Sequence, residues 1–267
     1  MSSPPLPTII LVHGAWHTPA AYQPFISALE AQGFTVHCPL LPSCAQSLAP
    51  SQDHRPASLP EDVACVRSLI STLADKGDRI LMLLHSYGGI VGTDAMTRDL
   101  TWSDRRSRGQ TGGVIHLAYL CAYMLQPGGS IVKTMEEANA SHLWDIFIDN
   151  GPDGLSFPKD PIAQLYNTVE KEEAEEAVRH LVRFPYDACI TDSTGEAWRY
   201  LPVTYVATEK DYTLLKDWQD RMVEKVRAQG VEVKMVEFDA CHSVFLSRKN
   251  ELVKVVVDAA SDERNPQ

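Results

Sequence analysis

The chain has 267 residues, 44% apolar and 22% charged, enough to bury one large α/β core or a core with an insertion. Its 24 basic and 35 acidic side chains leave a formal charge of -11, which argues against a nucleic-acid partner, because phosphate binding needs a basic face. No window approaches the roughly 20 apolar residues of a membrane span, and the opening MSSPPLPT has neither the basic start nor the apolar stretch of a secretory signal.

Six β-rich apolar runs follow one another: Thr8–His13, Phe34–Pro39, Arg79–His85, Val114–Leu120, Val203–Thr208 and Val231–Phe238. Near-continuous hydrophobicity, as in TIILV and ILMLL, implies burial on both faces, the pattern of a parallel sheet between helices. Helical segments alternate with the runs. Pro19–Gln32 stops at Gly33, and Pro60–Asp75 carries Val63, Val66, Leu69, Ile70 and Leu73 at helical spacing before Gly77. A third helix starts at Gly88 and runs to about Arg98; Leu214–Gln229 is amphipathic, and Leu246–Ala260 precedes a frayed tail, SDERNPQ. The basic cluster Arg105, Arg106 and Arg108 reads as a solvated surface loop. The expected fold class is α/β: a doubly wound, mostly parallel six-stranded sheet.

Between Leu125 and Tyr200 the alternation breaks and no strand is evident. Helices are expected over Met135–Asp149, Pro161–Val169 and Glu172–Arg183, punctuated by Gly151, Pro152, Gly154, Pro158 and Pro185, and EKEEAEE (170–176) reads as a solvated helix face. The expected organisation is a core of residues 1–124 and 201–267 with a helical cap, 125–200, over the carboxyl edge of the sheet, where open α/β folds bind ligands. The cysteines at 38, 44, 65, 121, 189 and 241 lack paired spacing and read as reduced thiols of a cytoplasmic protein. No CxxC or HExxH pattern occurs, so no metal site is expected.

The stretch LMLLHSYGGI (81–90) carries the chemistry. A strand stops at Ser86 and two glycines let a helix begin at once, which lifts the hydroxyl out of the sheet as a nucleophile elbow. The pattern G-x-S-x-G is met by Leu84-His85-Ser86-Tyr87-Gly88, with leucine in place of the first glycine. A serine hydroxyl needs a base to take its proton. In this kind of fold the partners follow in the order Ser, acid, His. His242, in DACHSVF, is the only histidine downstream of the cap. Asp211 follows the strand VTYVAT and is the preferred acid, with Glu209 as rival and Asp239 a weaker one. The first strand ends in LVHGAWH, where Gly14 lets the Ala15 amide turn toward the elbow; with the Tyr87 amide it would form an oxyanion hole. His13 and His85 read as packed structural histidines, whereas Trp16 and His17 are candidates to line the pocket.

With LHSYGG, HGAWH, ATEKD and ACHS in this order, the sequence resembles the α/β-hydrolase superfamily over nearly its whole length. It is similar to the small branch of plant methyl-ester esterases and hydroxynitrile lyases, in HGAWH, AYLCAYMLQPGGS and AWRYLPVTYVATEKD, and like that branch it lacks a leading antiparallel hairpin. The resembling lyases carry a threonine where this chain has Gly14 and a lysine where it has Ser243, so cyanohydrin chemistry is disfavoured. Epoxide hydrolases and haloalkane dehalogenases carry an aspartate at the place of Ser86. The resemblance implies a serine hydrolase of a small apolar ester, thioester or lactone that forms an acyl-enzyme on Ser86 without a cofactor. Leu143, Trp144, Phe147, Leu165 and Tyr166 are candidate pocket residues. Two other readings stay open: carbon–carbon cleavage, cyclisation or decarboxylation on the same three residues, and a ligand receptor on a hydrolase scaffold, which the presence of all three disfavours.

Overall fold

The computed structural model describes residues 6–48 and 56–262. Among these, nine strands follow in chain order: β1 (Thr8–Val12), β2 (Val36–His37), β3 (Arg79–His85), β4 (Gly113–Leu120), β5 (Ile148–Asn150), β6 (Leu155–Pro158), β7 (Phe184–Pro185), β8 (Val203–Thr208) and β9 (Val233–Phe238). Six form one sheet in the order β2-β1-β3-β4-β8-β9, with every neighbouring pair parallel. Alternate residues feed opposite faces, as the two-residue period of a strand requires. Ile10, Val12, Met82 and Leu84 pack toward the helices Leu59–Asp75, Gly88–Ala95 and Lys216–Arg227. Ile9, Leu11, Leu81 and Leu83 pack toward the helices Gln23–Glu30 and Lys249–Ala260. Both faces are therefore dry, which explains the unbroken apolar runs.

The strand register brings the carboxyl ends to one rim. Val12 lies beside Leu84, His85 beside Leu120, and Thr208 beside Phe238. The four chemistry-bearing turns, after β1, β3, β8 and β9, leave the sheet there.

Three expectations need correction. The segment between β4 and β8 is not purely helical: β5, β6 and β7 form a small antiparallel sheet. Gly151 and Gly154, which read as helix breakers, build its hairpin, with Gly154 at φ +77° and the Gly151 amide donating to the Leu155 carbonyl at 2.8 Å. The expected helix Met135–Asp149 is two, Ile131–Glu137 and His142–Phe147, parted by a turn with Asn139 at φ +54°. The arginine cluster is a solvated loop only in part: Arg106 and Arg108 are exposed, but Arg105 and Arg106 belong to the helix Trp102–Ser107, capped by the Thr101 hydroxyl, and Arg105 turns inward to pair with Asp75 at 2.8 Å. No helix among the described residues is long and apolar enough to cross a membrane. The frayed tail read over 261–267 lies outside the described residues from 263 onward.

Candidate active site

Ser86 follows the last residue of β3 with φ +54°, a left-handed conformation that side-chain-bearing residues adopt at a cost of about 1–2 kcal/mol. The surrounding packing enforces it. A Cβ on Gly88 would stand 2.3 Å from the Val12 carbonyl oxygen, and one on Gly89 would stand 2.4 Å from that of Tyr123. Only glycine lets the helix Gly88–Ala95 start this close to the sheet. The leucine that replaces the motif's first glycine is accommodated by another glycine: the Leu84 side chain fills the space a Cβ on Gly92 would need, 2.2 Å away.

The Ser86 hydroxyl donates to His242 Nε2 at 2.8 Å, and His242 Nδ1–H donates to Asp211 Oδ2 at 2.7 Å. A carboxylate oxygen accepts, so the shared proton sits on Nδ1 and Nε2 is left as the acceptor of the Ser86 hydroxyl. All three residues are buried. The Asp211 carboxylate also accepts from Thr208 Oγ1 at 2.9 Å and from the amides of Thr213 and Leu214 at 2.9 and 2.8 Å, which holds it in place. The rivals lie elsewhere: Glu209 is exposed, and Asp239 pairs with Lys210 at the surface.

Gly14 is pressed against the elbow, where a Cβ would meet His85 Nδ1 and Ser86 Cβ at 2.9 Å each. This brings Ala15 into the wall of the same cavity as Ser86 and Tyr87. Trp16, at φ +61°, joins that wall, and its carbonyl is tied to Val182 N at 2.8 Å.

The cavity has a volume of about 300 Å³ and is walled mainly by apolar and aromatic side chains. Of the expected pocket residues, Trp16, Leu143, Trp144, Phe147 and Leu165 line it. His17 and Tyr166 do not. They form a buried pair behind the Gly14–Trp16 turn, with the Tyr166 hydroxyl on His17 Nε2 at 2.8 Å and His17 Nδ1–H donating to the Ala15 carbonyl at 2.8 Å. Burial pushes the His17 imidazole down to about 3 and that of His13 to about 4, so both stay neutral. Lining residues missed by sequence reasoning include Tyr123, Ile131, Met135, Gln164, Thr213 and Trp218, which come from five separate segments and share no motif.

His85 is more than packing. Its Nε2–H donates to the His242 carbonyl at 3.0 Å, and its Nδ1 accepts from the Tyr22 hydroxyl at 2.7 Å. That hydroxyl in turn accepts from Gly14 N at 3.0 Å. One chain of hydrogen bonds thus joins the turn at Gly14 to the loop that carries His242. Cys121 donates to the same His242 carbonyl, at 3.1 Å. His85, Cys121 and His242 are close enough to suggest a metal site, but each is spent within this network.

A second latch comes from the insertion. Thr168 Oγ1 accepts from Cys241 N, the Leu165 carbonyl accepts from Ser243 N, and the Gln164 carbonyl accepts from Thr213 Oγ1. Residues 164–168 thereby brace both the loop that carries Asp211 and the loop that carries His242.

A match to the model of the alpha/beta hydrolase family spans residues 9–255. The chain belongs to that family. An alpha/beta hydrolase of Aspergillus novofumigatus, nvfD, is 28% identical over 256 residues, covering 96% of this chain and 97% of that protein. The pyrethroid hydrolase of Sphingobium faniae JZ-2 superposes with a TM-score of 0.72 at 20% identity, covering 96% and 98% of the two chains. Polyneuridine aldehyde esterase gives a TM-score of 0.72 at 17% identity, covering 95% and 98%. At these identities the solved structures speak for the fold of this hydrolase.

Proposed function

We propose that the protein is a serine hydrolase of a small, mainly apolar carboxylic ester, acting through an acyl-enzyme. The observation that carries this reading is the unbroken chain Ser86–His242–Asp211, with Ser86 in the wall of an apolar cavity. His242 Nε2 takes the hydroxyl proton as Ser86 Oγ attacks the carbonyl carbon. Asp211 holds the tautomer and stabilises the imidazolium that forms. The amides of Ala15 and Tyr87 receive the developing oxyanion, the role that in comparable sites accelerates turnover by about 10²–10³ per donor. His242 then protonates the leaving alcohol, and a water activated by the same nitrogen releases the acid. This sequence calls for no cofactor. The cavity is at the small end of the roughly 300–1,000 Å³ range of small-molecule sites, and its walls favour an apolar substrate. The name polyneuridine aldehyde esterase, and the six free thiols, four of them buried, support an ester substrate and a cytoplasmic setting respectively.

The test is covalent labelling with a fluorophosphonate, followed by turnover of p-nitrophenyl esters of increasing chain length. A single adduct on Ser86, absent in Ser86→Ala, with burst kinetics on the shorter esters, is the expected result. No adduct and no burst with any ester would overturn the proposal.

A further inference from the structure

Gln164, in the cavity wall, carries a buried acceptor that neither the proton relay nor the fold uses. Gln164 is 5% exposed and sits in the short helix Pro161–Leu165. Its Nε2 donates to the Phe147 carbonyl at 2.9 Å. A carbonyl can only accept, so this bond fixes which end of the amide is nitrogen. The amide oxygen, Oε1, then has no hydrogen-bond partner among the described residues. Gln164 and Phe147 both line the cavity.

Buried acceptors are almost always paired, and leaving one unmet costs about as much as a tenfold change in an equilibrium constant. The position is also held rigidly. The Gln164 backbone carbonyl accepts from Thr213 Oγ1 at 2.9 Å, and the Thr213 amide donates to Asp211. The next carbonyl, of Leu165, accepts from Ser243 N, adjacent to His242. The same bonds that place the acid and the base therefore place this acceptor. The two indole N–H groups of the wall are committed, Trp16 Nε1 to Ser156 and Trp144 Nε1 to Asn150.

We infer that Gln164 is a specificity-determining residue whose side-chain carbonyl receives a hydrogen-bond donor of the substrate, so that the preferred ester is apolar but carries one hydroxyl or N–H group away from its reacting carbonyl. This rests on the ester-hydrolase reading for what the cavity turns over, though not for what it binds. A site that hydrogen-bonds a substrate hydroxyl discriminates against the analogue lacking it, because the protein's own group is then stranded.

The test uses the Ser86→Ala protein, so that binding is read without turnover. Calorimetry compares methyl esters of 4-hydroxyphenylacetic, -propanoic, -butanoic and -pentanoic acids with their deoxy parents, and acetates of the matching 4-hydroxyphenylalkanols with theirs. At least one hydroxylated member is expected to bind about tenfold or more tightly than its parent. Adding Gln164→Met should remove that preference. Adding Gln164→Glu should keep it, since a carboxyl buried in this wall is taken up protonated, donates to the Phe147 carbonyl and still presents an acceptor. The Met variant gives up the bond to Phe147, but a loosened wall weakens both members of a pair, whereas a lost acceptor weakens only the hydroxylated one. No preference in any pair, or a preference that survives Gln164→Met, overturns the inference. A Gln164-dependent preference with no turnover of any pair by the wild-type protein would support it while overturning the ester reading.

Discussion

Asp211 acts on the serine only through His242, and its geometry states how much it should matter. Its Oδ2 sits 2.7 Å from His242 Nδ1, and Thr208, Thr213 and Leu214 hold the carboxylate from the other sides. An amide at this place can donate to Nδ1 and so favours the wrong tautomer, leaving Nε2 protonated and useless as a base. Asp211→Asn is therefore expected to lower kcat by about 10⁴ with little change in KM. Ser86→Ala should abolish the acyl-enzyme altogether while the protein stays folded. Glu209 is exposed, and Glu209→Gln should leave turnover of p-nitrophenyl esters intact. Damage from Glu209→Gln with a silent Asp211→Asn would reverse the assignment of the acid.

At the scale of elements, the serine's exposure at the rim depends on how closely one helix approaches one strand. Gly88 is the tightest point. A Cβ there would stand 2.3 and 2.9 Å from the backbone oxygens of Val12 and His13, and backbone cannot turn aside as a side chain can. Gly88→Ala should push the helix away, at a cost of about 1–3 kcal/mol. It should also shift the Tyr87 amide, so that fluorophosphonate labelling slows by more than the loss in melting temperature accounts for; equal labelling rates would sink this account. How far such elements are legible in sequence depends on where their bonds go. β3 and β8 occupy the residues their apolar runs mark, since burial on both faces leaves few polar residues to blur the ends. Gly88 and Gly89 can be read in the same way, because elbow glycines are needed locally. The insertion is less legible. Its strands are three, four and two residues long, too short for a period, and their hairpin turn GPDG looks the same as a helix stop. Gln164 has no sequence signal at all, since its meaning lies in a carbonyl 17 positions away and in the absence of a second partner. His17 illustrates the reverse case: its place beside Trp16 suggests the pocket, but its ring turns behind the Ala15 carbonyl.

For the whole molecule, the buried histidines that brace the site make its stability sensitive to acid. His13, His17 and His85 are almost wholly enclosed. Burial pushes His13 down to about 4 and His17 to about 3; burial, with His242 and His17 adding to it, holds His85 well below the ordinary range. In the unfolded chain each takes up a proton near pH 6.5. Between the unfolded and folded values the unfolded chain binds the extra protons, so stability is full above about pH 6.5 and lost as the pH falls below it. Asp62 works the other way. Enclosed between Ser43 N and the Tyr87 hydroxyl, its carboxyl is pushed by burial up to about 6, against about 4 when unfolded. Here the folded state holds the extra proton, and stability rises as pH falls through 6. At pH 5 three histidines stand against one aspartate, leaving the unfolded chain about two protons richer. The free energy of unfolding should then fall by about 2.7 kcal/mol per pH unit on acidification. Urea titrations at pH 7, 6 and 5 measure it, and Asp62→Asn, which removes the opposing proton, should steepen the fall toward about 4 kcal/mol per unit. A profile that stays flat down to pH 5 would mean that these imidazoles accept protons within the fold, and would break the hydrogen-bond chain from Gly14 through Tyr22 and His85 to His242.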